Sequence, residues 1–107
     1  MIKVVYRRKR NKLNIDGHAY SGEPGHDLVC ASASILAYTL AASVKNMVSA
    51  GQVKEPIIEL NAGCAKIACK PPPANKSVVT LVFDTVCAGF ELLAANYPEN
   101  ISYEIRE

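Results

Sequence analysis

Seventeen consecutive residues without a charge, LVCASASILAYTLAASV at positions 28–44, constrain the fold of this chain more than any other feature. The run is diluted with serine, threonine and alanine, and it falls short of the roughly 20 strongly apolar residues that a membrane span needs. We therefore expect a helix of a protein core and no membrane partner. Asp27 is the expected N-cap of this helix, and Gly51 is the expected stop.

Alternation of apolar and polar residues predicts strands on both sides of this helix. Residues 2–8 (IKVVYRR) and 12–19 (KLNIDGHA) alternate around a short polar break, which is typical of a β-hairpin. After the helix, IIELN follows Pro56, and residues 63–70 (GCAKIACK) form its expected partner strand. The closing segment, ISYEIRE, is the fifth expected strand.

The segment 77–95 is open to two interpretations. Its β-branched start, SVVTLVF, resembles a strand, whereas Leu81, Thr85, Ala88 and Leu92 recur at helical spacing. Nineteen residues are too long for one strand, so we predict a helix. The order β-β-α-β-β-α-β predicts an α+β fold, a single small domain over residues 1–107 with a mainly antiparallel sheet and two helices.

The cysteines depend on the cellular compartment for their interpretation. The first ten residues, MIKVVYRRKR, lack the apolar stretch of a signal peptide, so we expect a cytoplasmic protein with reduced thiols. Cys64 and Cys69 are five positions apart on one predicted strand, which places their side chains on opposite faces. We therefore expect neither a disulfide nor a metal site there, and no cofactor. Cys87 is expected in the core.

The segment GHAYSGEPGHDLVCA, residues 17–31, carries the candidate chemistry. Cys30 is the third residue of the expected helix, where unsatisfied N–H groups and the helix dipole favour a thiolate, although the Asp27 charge opposes this effect. His18 ends a strand and is better placed as a base than His26, which lies in a Gly/Pro loop. Residue types and spacing alone leave open whether the Cys–His pair is catalytic or structural.

The same segment resembles the bacterial ribosomal-processing cysteine protease family (Prp). The resemblance rests on Gly17-His18-Ala19, a Gly-rich loop, then DLVCA at 27–31 and Ser34 one helical turn later. It implies a small homodimeric enzyme with a Cys–His dyad. The implied substrate is the precursor of large-subunit ribosomal protein twenty-seven, which loses a short N-terminal extension that ends in a hydrophobic, phenylalanine-containing stretch before an alanine.

The resemblance also implies residue roles. Cys30 would attack the peptide carbonyl, and His18 would act as general base and acid. The implied supporting residues are Gly17, Asp27 and Ser34. The implied substrate-covering loop consists of Tyr20, Ser21, Gly22, Glu23, Pro24, Gly25 and His26.

The sequence alone leaves two details of this mechanism undecided. Backbone N–H groups from Leu28 to Ala31 are candidate donors to the oxyanion of the tetrahedral intermediate. Asp27 could either orient His18 or serve only as the cap of the helix, and capping is the use that we favour.

The basic run Arg7-Arg8-Lys9-Arg10 supports a second hypothesis, a non-enzymatic ribosome- or RNA-associated module. Such a run is usually a solvated hairpin tip, and the aromatic residues near it that could stack on bases are only Tyr6 and Tyr20. The net charge of +2 argues neither for nor against nucleic acid. We therefore rank this hypothesis second and expect a ribosomal-protein precursor segment and a second copy of the chain as partners, rather than nucleic acid.

Overall fold

The structure is a computed structural model, and it describes residues 1–18 and 27–107. Its regular elements follow the predicted order β-β-α-β-β-α-β, which confirms the α+β prediction. The elements are β1 (Ile2–Arg7), β2 (Lys12–Asp16), α1 (Leu28–Ser49), β3 (Lys54–Asn61), β4 (Cys64–Lys70), α2 (Lys76–Asn96) and β5 (Ile101–Arg106), with short 3-10 helices at Arg8–Arg10 and Pro73–Asn75.

The five strands form one sheet in the order β3-β4-β2-β1-β5. The pairs β1/β2 and β3/β4 are antiparallel, as the two hairpin patterns predicted, and β2/β4 is antiparallel as well. Among the strands of the described residues, only β1 and β5 pair in parallel, with Ile2 opposite Ile101. The physical reason is α2, which returns the chain to the end of the sheet where β4 began, so that β5 runs in the same direction as β4.

Both helices contribute to one core with the sheet. Alternate residues of β1 and β2 are buried in that core together with one stripe of each helix. The largest fully buried side chains are Tyr6, Leu13, Leu40, Ile67, Phe83 and Phe90. By length and composition alone both helices could also cross a membrane, but a core helix passes the same test.

The exposed side of α2 is the side whose spacing indicated a helix. Leu81 and Leu92 are each 64% exposed, and Thr85 and Ala88 are also exposed. The buried stripe of α2 consists of Val79, Thr80, Phe83, Val86, Cys87 and Phe90. Period 3.6 describes every face of a helix equally well, so the spacing identified the helix but not its buried side.

Candidate active site

His18 follows directly on the end of β2, and its neighbour Gly17 determines the path of the chain there. Gly17 has φ +99°, a conformation that L side chains rarely adopt. A Cβ at this position would collide with the carbonyl oxygen of Met1, and the Gly17 N–H donates to the Gly63 carbonyl at 2.8 Å. Only glycine fits these constraints, so the path of the backbone requires Gly17 at this position.

Cys30 lies in the first turn of α1, as predicted. Asp27 is the N-cap, and its Oδ1 accepts a hydrogen bond from the Cys30 backbone N–H at 2.9 Å. The side chain of Cys30 is half-buried and packs against the core. The thiol therefore stands at the positive end of a helix of 22 residues, the setting that favours a thiolate.

A cavity of about 360 Å³ brings His18 and Cys30 together. The strand side of its wall includes Gly17, His18 and the turn between β3 and β4, and the α1 side includes Cys30 and Ser34. Two small residues of α1, Ala33 and Ala37, make room for the cavity between helix and sheet. Four predicted site residues thus line the same cavity: Gly17, His18, Cys30 and Ser34. The predicted covering loop, residues 20–26, lies outside the described residues.

Gly63 is a residue of this site that the sequence analysis missed. It belongs to the turn between β3 and β4 rather than to the predicted strand, and its φ is +74°. A Cβ on Gly63 would lie 2.7 Å from Nε2 of His18, so the imidazole rests directly against the glycine. A glycine after Asn61-Ala62 is a turn signal, but only the fold shows that the turn supports the histidine.

The oxyanion donors predicted from Leu28 to Ala31 need a correction. The Cys30 N–H donates to the Asp27 side chain, and the Ala31 N–H donates to the Asp27 carbonyl at 3.0 Å. These two groups are engaged by the cap and the first helical turn. Leu28 and Val29 stay as the candidates.

The other three thiols lie in settings that disfavour a thiolate. Cys64 is exposed, and the Asp16 carboxylate, which accepts its hydrogen bond, raises the pKa of the Cys64 thiol. Burial raises the pKa of Cys69, and it raises the pKa of Cys87 to about 12. Cys64 and Cys69 lie on opposite faces of the sheet, as their spacing predicted, and Cys87 is buried in the core as expected.

A cysteine at a helix start that shares a cavity with a strand-end histidine is the arrangement of a thiol hydrolase. Sequence similarity over nearly the whole chain supports this class. The sequence profile described as "Cysteine protease Prp" matches residues 1–102, and the chain therefore belongs to the Prp family of cysteine proteases.

Relatives of known structure have the same fold. The chain is 28% identical over 100 residues to the ribosomal processing cysteine protease Prp of Staphylococcus aureus strain Mu50, covering 94% of this chain and 91% of the relative. A crystal structure of the S. aureus enzyme with a covalently linked product peptide is similar with a TM-score of 0.71 and 26% identity, covering 98% of this chain and 97% of that one. The S. aureus complex with a substrate peptide is similar with a TM-score of 0.66 and 25% identity, at the same coverage.

Proposed function

We propose that this chain is a cysteine endopeptidase in which Cys30 is the nucleophile and His18 the general base. The observation that carries the proposal is the single cavity that both side chains line, within a chain of a cysteine protease family. The position of Cys30 at the start of α1 supplies the physical reason, because the helix end stabilises the thiolate that attacks.

The proposed reaction uses a covalent intermediate. His18 takes the Cys30 proton, and the thiolate forms a bond to the carbonyl carbon of the scissile peptide. Collapse of the tetrahedral adduct breaks the C–N bond, and the leaving amine takes the proton back from the imidazolium. Water then gives a proton to His18 and attacks the thioester, which releases the acid and returns the proton to the thiol. The N–H groups of Leu28 and Val29 are the proposed oxyanion donors.

The proposed substrate is the precursor of large-subunit ribosomal protein twenty-seven, from which a short N-terminal extension is removed. The support is the residue pattern 17–34 and the relatives, one of which is described as a ribosomal processing protease holding a covalently linked product peptide. A cavity of about 360 Å³ admits a few side chains of an extended peptide. The proposed location is the cytoplasm, where such a precursor is made.

We also propose that the protein is a homodimer. The exposed stripe of α2 supports an apolar contact, since Val78, Leu81 and Leu92 are 57%, 64% and 64% exposed. A second copy of the chain would bury this stripe. The mass in solution, measured by light scattering for the wild type and for Leu81→Asp, tests this proposal.

The decisive experiment is cleavage of a precursor peptide with a phenylalanine-containing stretch before an alanine. We expect cleavage before that alanine by the wild type and loss of at least about 10³-fold in kcat/KM for Cys30→Ala and for His18→Ala. Cys64→Ala is the matched control, because Cys64 lines the same cavity but has a raised pKa, and it should retain activity.

Three outcomes would contradict the proposal. Activity that survives in Cys30→Ala would remove the nucleophile, and activity that falls equally in Cys64→Ala would assign the thiol chemistry to the wrong cysteine. No cleavage of this peptide combined with cleavage of other peptides would overturn the substrate but not the Cys30–His18 pair.

A further inference from the structure

One end of the sheet collects most of the positive charge of the protein. Strands β1, β4 and β5 end there, and β2 and β3 begin there, as the strand registers show. The 3-10 helix Arg8–Arg10 and the first residue of α2 lie there too, since Lys76 Nζ donates to the Lys9 carbonyl at 2.6 Å.

We call this region the basic end and define it by nine of the twelve basic residues of the chain. They are Arg7, Arg8, Lys9, Arg10, Lys12, Lys54, Lys70, Lys76 and Arg106. The acidic residues of the same end are Glu55, Asp84, Glu104 and Glu107. The basic end thus carries an excess of five positive side chains in a chain whose net charge is only +2.

Few of these charges are paired. Salt bridges join Arg8 to Asp84, Lys70 to Glu55 and Arg106 to Glu104, at 3.0, 3.1 and 3.0 Å. Within residues 1–18 and 27–107, the remaining six cations of the basic end make no salt bridge: Arg7, Lys9, Arg10, Lys12, Lys54 and Lys76. Lys76 is engaged by the Lys9 carbonyl and the Asn11 amide oxygen, so the charges of the other five are available to a polyanion.

The tip that carries Arg8–Arg10 is held in place. Arg8 contacts Asp84 of α2 through two guanidinium nitrogens, and the buried Asn11 side chain donates to Thr80 Oγ1 at 3.1 Å. Lys76 adds its bond to the Lys9 carbonyl. A tip fixed to a helix loses less conformational entropy on binding than a flexible basic tail would.

The cavity with His18 and Cys30 lies at the opposite end of the sheet. That end carries acidic residues, among them Asp16, Asp27 and Glu99, and a ligand of the basic end would leave the cavity open. Binding at the basic end and peptide cleavage can therefore occur on the same molecule at the same time.

We propose that the basic end binds the phosphate backbone of double-helical RNA, as a second activity besides the protease. Arginine guanidinium groups match phosphate oxygens in a two-pronged geometry, and three of the four residues at 7–10 are arginine. Tyr6, one of the two aromatic residues that could have stacked on bases, is buried, and its hydroxyl donates to Asp84 at 2.8 Å. The contact is therefore to phosphate and is independent of sequence.

RNA is favoured over a lipid surface on two grounds. A membrane-binding surface combines cations with apolar side chains that insert between lipids, whereas the tip Arg8–Arg10 holds only cations. The second ground rests on the proposed function, because a ribosomal-protein precursor as substrate brings the enzyme next to RNA. The binding experiment needs no precursor, so its failure and a failure of the proposed cleavage are separate results.

The test is fluorescence anisotropy of an RNA duplex of about 20 base pairs over a range of about 0.05 to 0.2 M KCl. We expect the logarithm of the binding constant to fall linearly with the logarithm of salt concentration. Lys9→Gln/Arg10→Gln removes two unpaired cations and should lower the salt slope by about two and weaken binding about 10- to 100-fold at low salt.

Lys3→Gln/Lys66→Gln is the matched control, since it removes the same charge from strand positions towards the opposite end of the sheet. This control should bind RNA like the wild type, and both double variants should cleave the precursor peptide at the wild-type rate. Failure to bind the duplex, or an equal loss in both double variants, would overturn the proposal. So would binding to vesicles of phosphatidylserine and phosphatidylcholine that equals or exceeds binding to RNA at the same salt concentration.

Discussion

At the scale of single residues, the site depends on glycines as much as on its reactive side chains. Gly17 takes the chain past Met1 without a side chain, and Gly63 offers the His18 imidazole a surface without a Cβ. The candidate pair Cys30 and His18 could be named from the sequence, because a cysteine three residues after an Asp cap and a histidine at a strand end are local patterns. Gly63 could not be, because it is 45 positions from His18 and meets it only across the β2–β4 pairing.

Gly63→Ala tests whether this contact positions the base. The new Cβ would lie 2.7 Å from Nε2, so the imidazole must move, and kcat/KM should fall about 10- to 100-fold. Gly51→Ala is a matched control, because Gly51 has a similar φ of +72° but no atom within 4 Å of its Cβ position. Both variants should lose about 1 kcal/mol of stability from the left-handed backbone. Equal activity in the two variants would contradict the positioning role.

Thiol labelling tests the state of Cys30. The pKa values of Cys64, Cys69 and Cys87 are raised, so iodoacetamide near neutral pH should label Cys30 fastest, as followed by mass spectrometry of the peptides. Cys64 is the informative comparison because it is exposed.

Asp16→Asn provides the control for that labelling experiment. The substitution removes the charge that raises the pKa of Cys64, so labelling of Cys64 should become faster while labelling of Cys30 stays the same. Four thiols that react alike in the wild type would count against an activated Cys30.

At the scale of elements, the start of α1 combines a structural and a chemical role. Asp27 caps the helix as expected, and its side chain accepts the Cys30 N–H, one of the groups predicted to donate to the oxyanion. Local capping rules predicted the cap. Which backbone N–H groups of the first helical turn are left to donate to an oxyanion follows only from the hydrogen bonds in the structure.

Asp27→Asn separates capping from any effect on the dyad. Asparagine also accepts the Cys30 N–H, so stability should change by only a few tenths of a kcal/mol, whereas Asp27→Ala should cost about 1 kcal/mol. Loss of a negative charge beside Cys30 favours the thiolate over the thiol, so the acidic limb of the pH profile of kcat/KM should shift to lower pH. A fall in kcat at every pH, with an unshifted profile, would show instead that Asp27 orients His18.

In α2, the sequence pattern predicted the helix but not which of its faces is buried. Its length and spacing predicted a helix correctly, yet the leucines that indicated it, Leu81 and Leu92, face away from the core. Both faces of α2 are apolar, so periodicity carried no information about which face meets the sheet. Packing of Phe83 and Phe90 decided it, since their larger side chains bury more surface.

At the scale of the whole molecule, Asp84 joins α2 to the other end of the sequence. Its carboxylate accepts hydrogen bonds from Tyr6 at 2.8 Å and from Arg8 at 3.0 Å. The Arg8 guanidinium, helped by the Tyr6 hydroxyl, holds the pKa of Asp84 below its ordinary value of 3.8. The contact therefore stabilises the fold while the carboxylate is charged.

The pH dependence of this contribution has a definite sign. Since the pKa of Asp84 is lower in the folded than in the unfolded protein, the contribution is complete above the ordinary value of 3.8 and is lost as pH falls through the lowered pKa. Asp84→Asn should reduce the free energy of unfolding by about 0.5–1 kcal/mol at neutral pH, a modest amount because the pair is partly exposed to solvent. Urea unfolding at about pH 7 and about pH 2 should show that this difference shrinks in acid.

Glu91→Gln is the control for that measurement, since Glu91 is an exposed acid on the same helix. It should leave the free energy of unfolding nearly unchanged at neutral pH. A loss for Asp84→Asn that is the same at both pH values would show that packing, rather than the charge of Asp84, carries the contribution.

Charge shows most clearly what the whole molecule adds. The net charge of +2 argues neither for nor against nucleic acid, and RNA was ranked second because few aromatic residues lie near the run 7–10. The sheet brings Lys54, Lys70 and Arg106 to the same end as the run 7–10, because their strands begin or end there. Net charge says nothing about where the charges lie, whereas binding of a polyanion depends on how they are distributed over the surface.

The sequence by itself determined the elements, their order, the cap at Asp27 and the candidate pair Cys30 and His18, because each depends on residues close together in the chain. Tertiary structure alone decided the rest. It placed Gly63 under His18, turned Leu81 and Leu92 outward and gathered nine cations at one end of the sheet. These features depend on contacts between residues far apart in sequence, which are settled only when strands pair and helices pack.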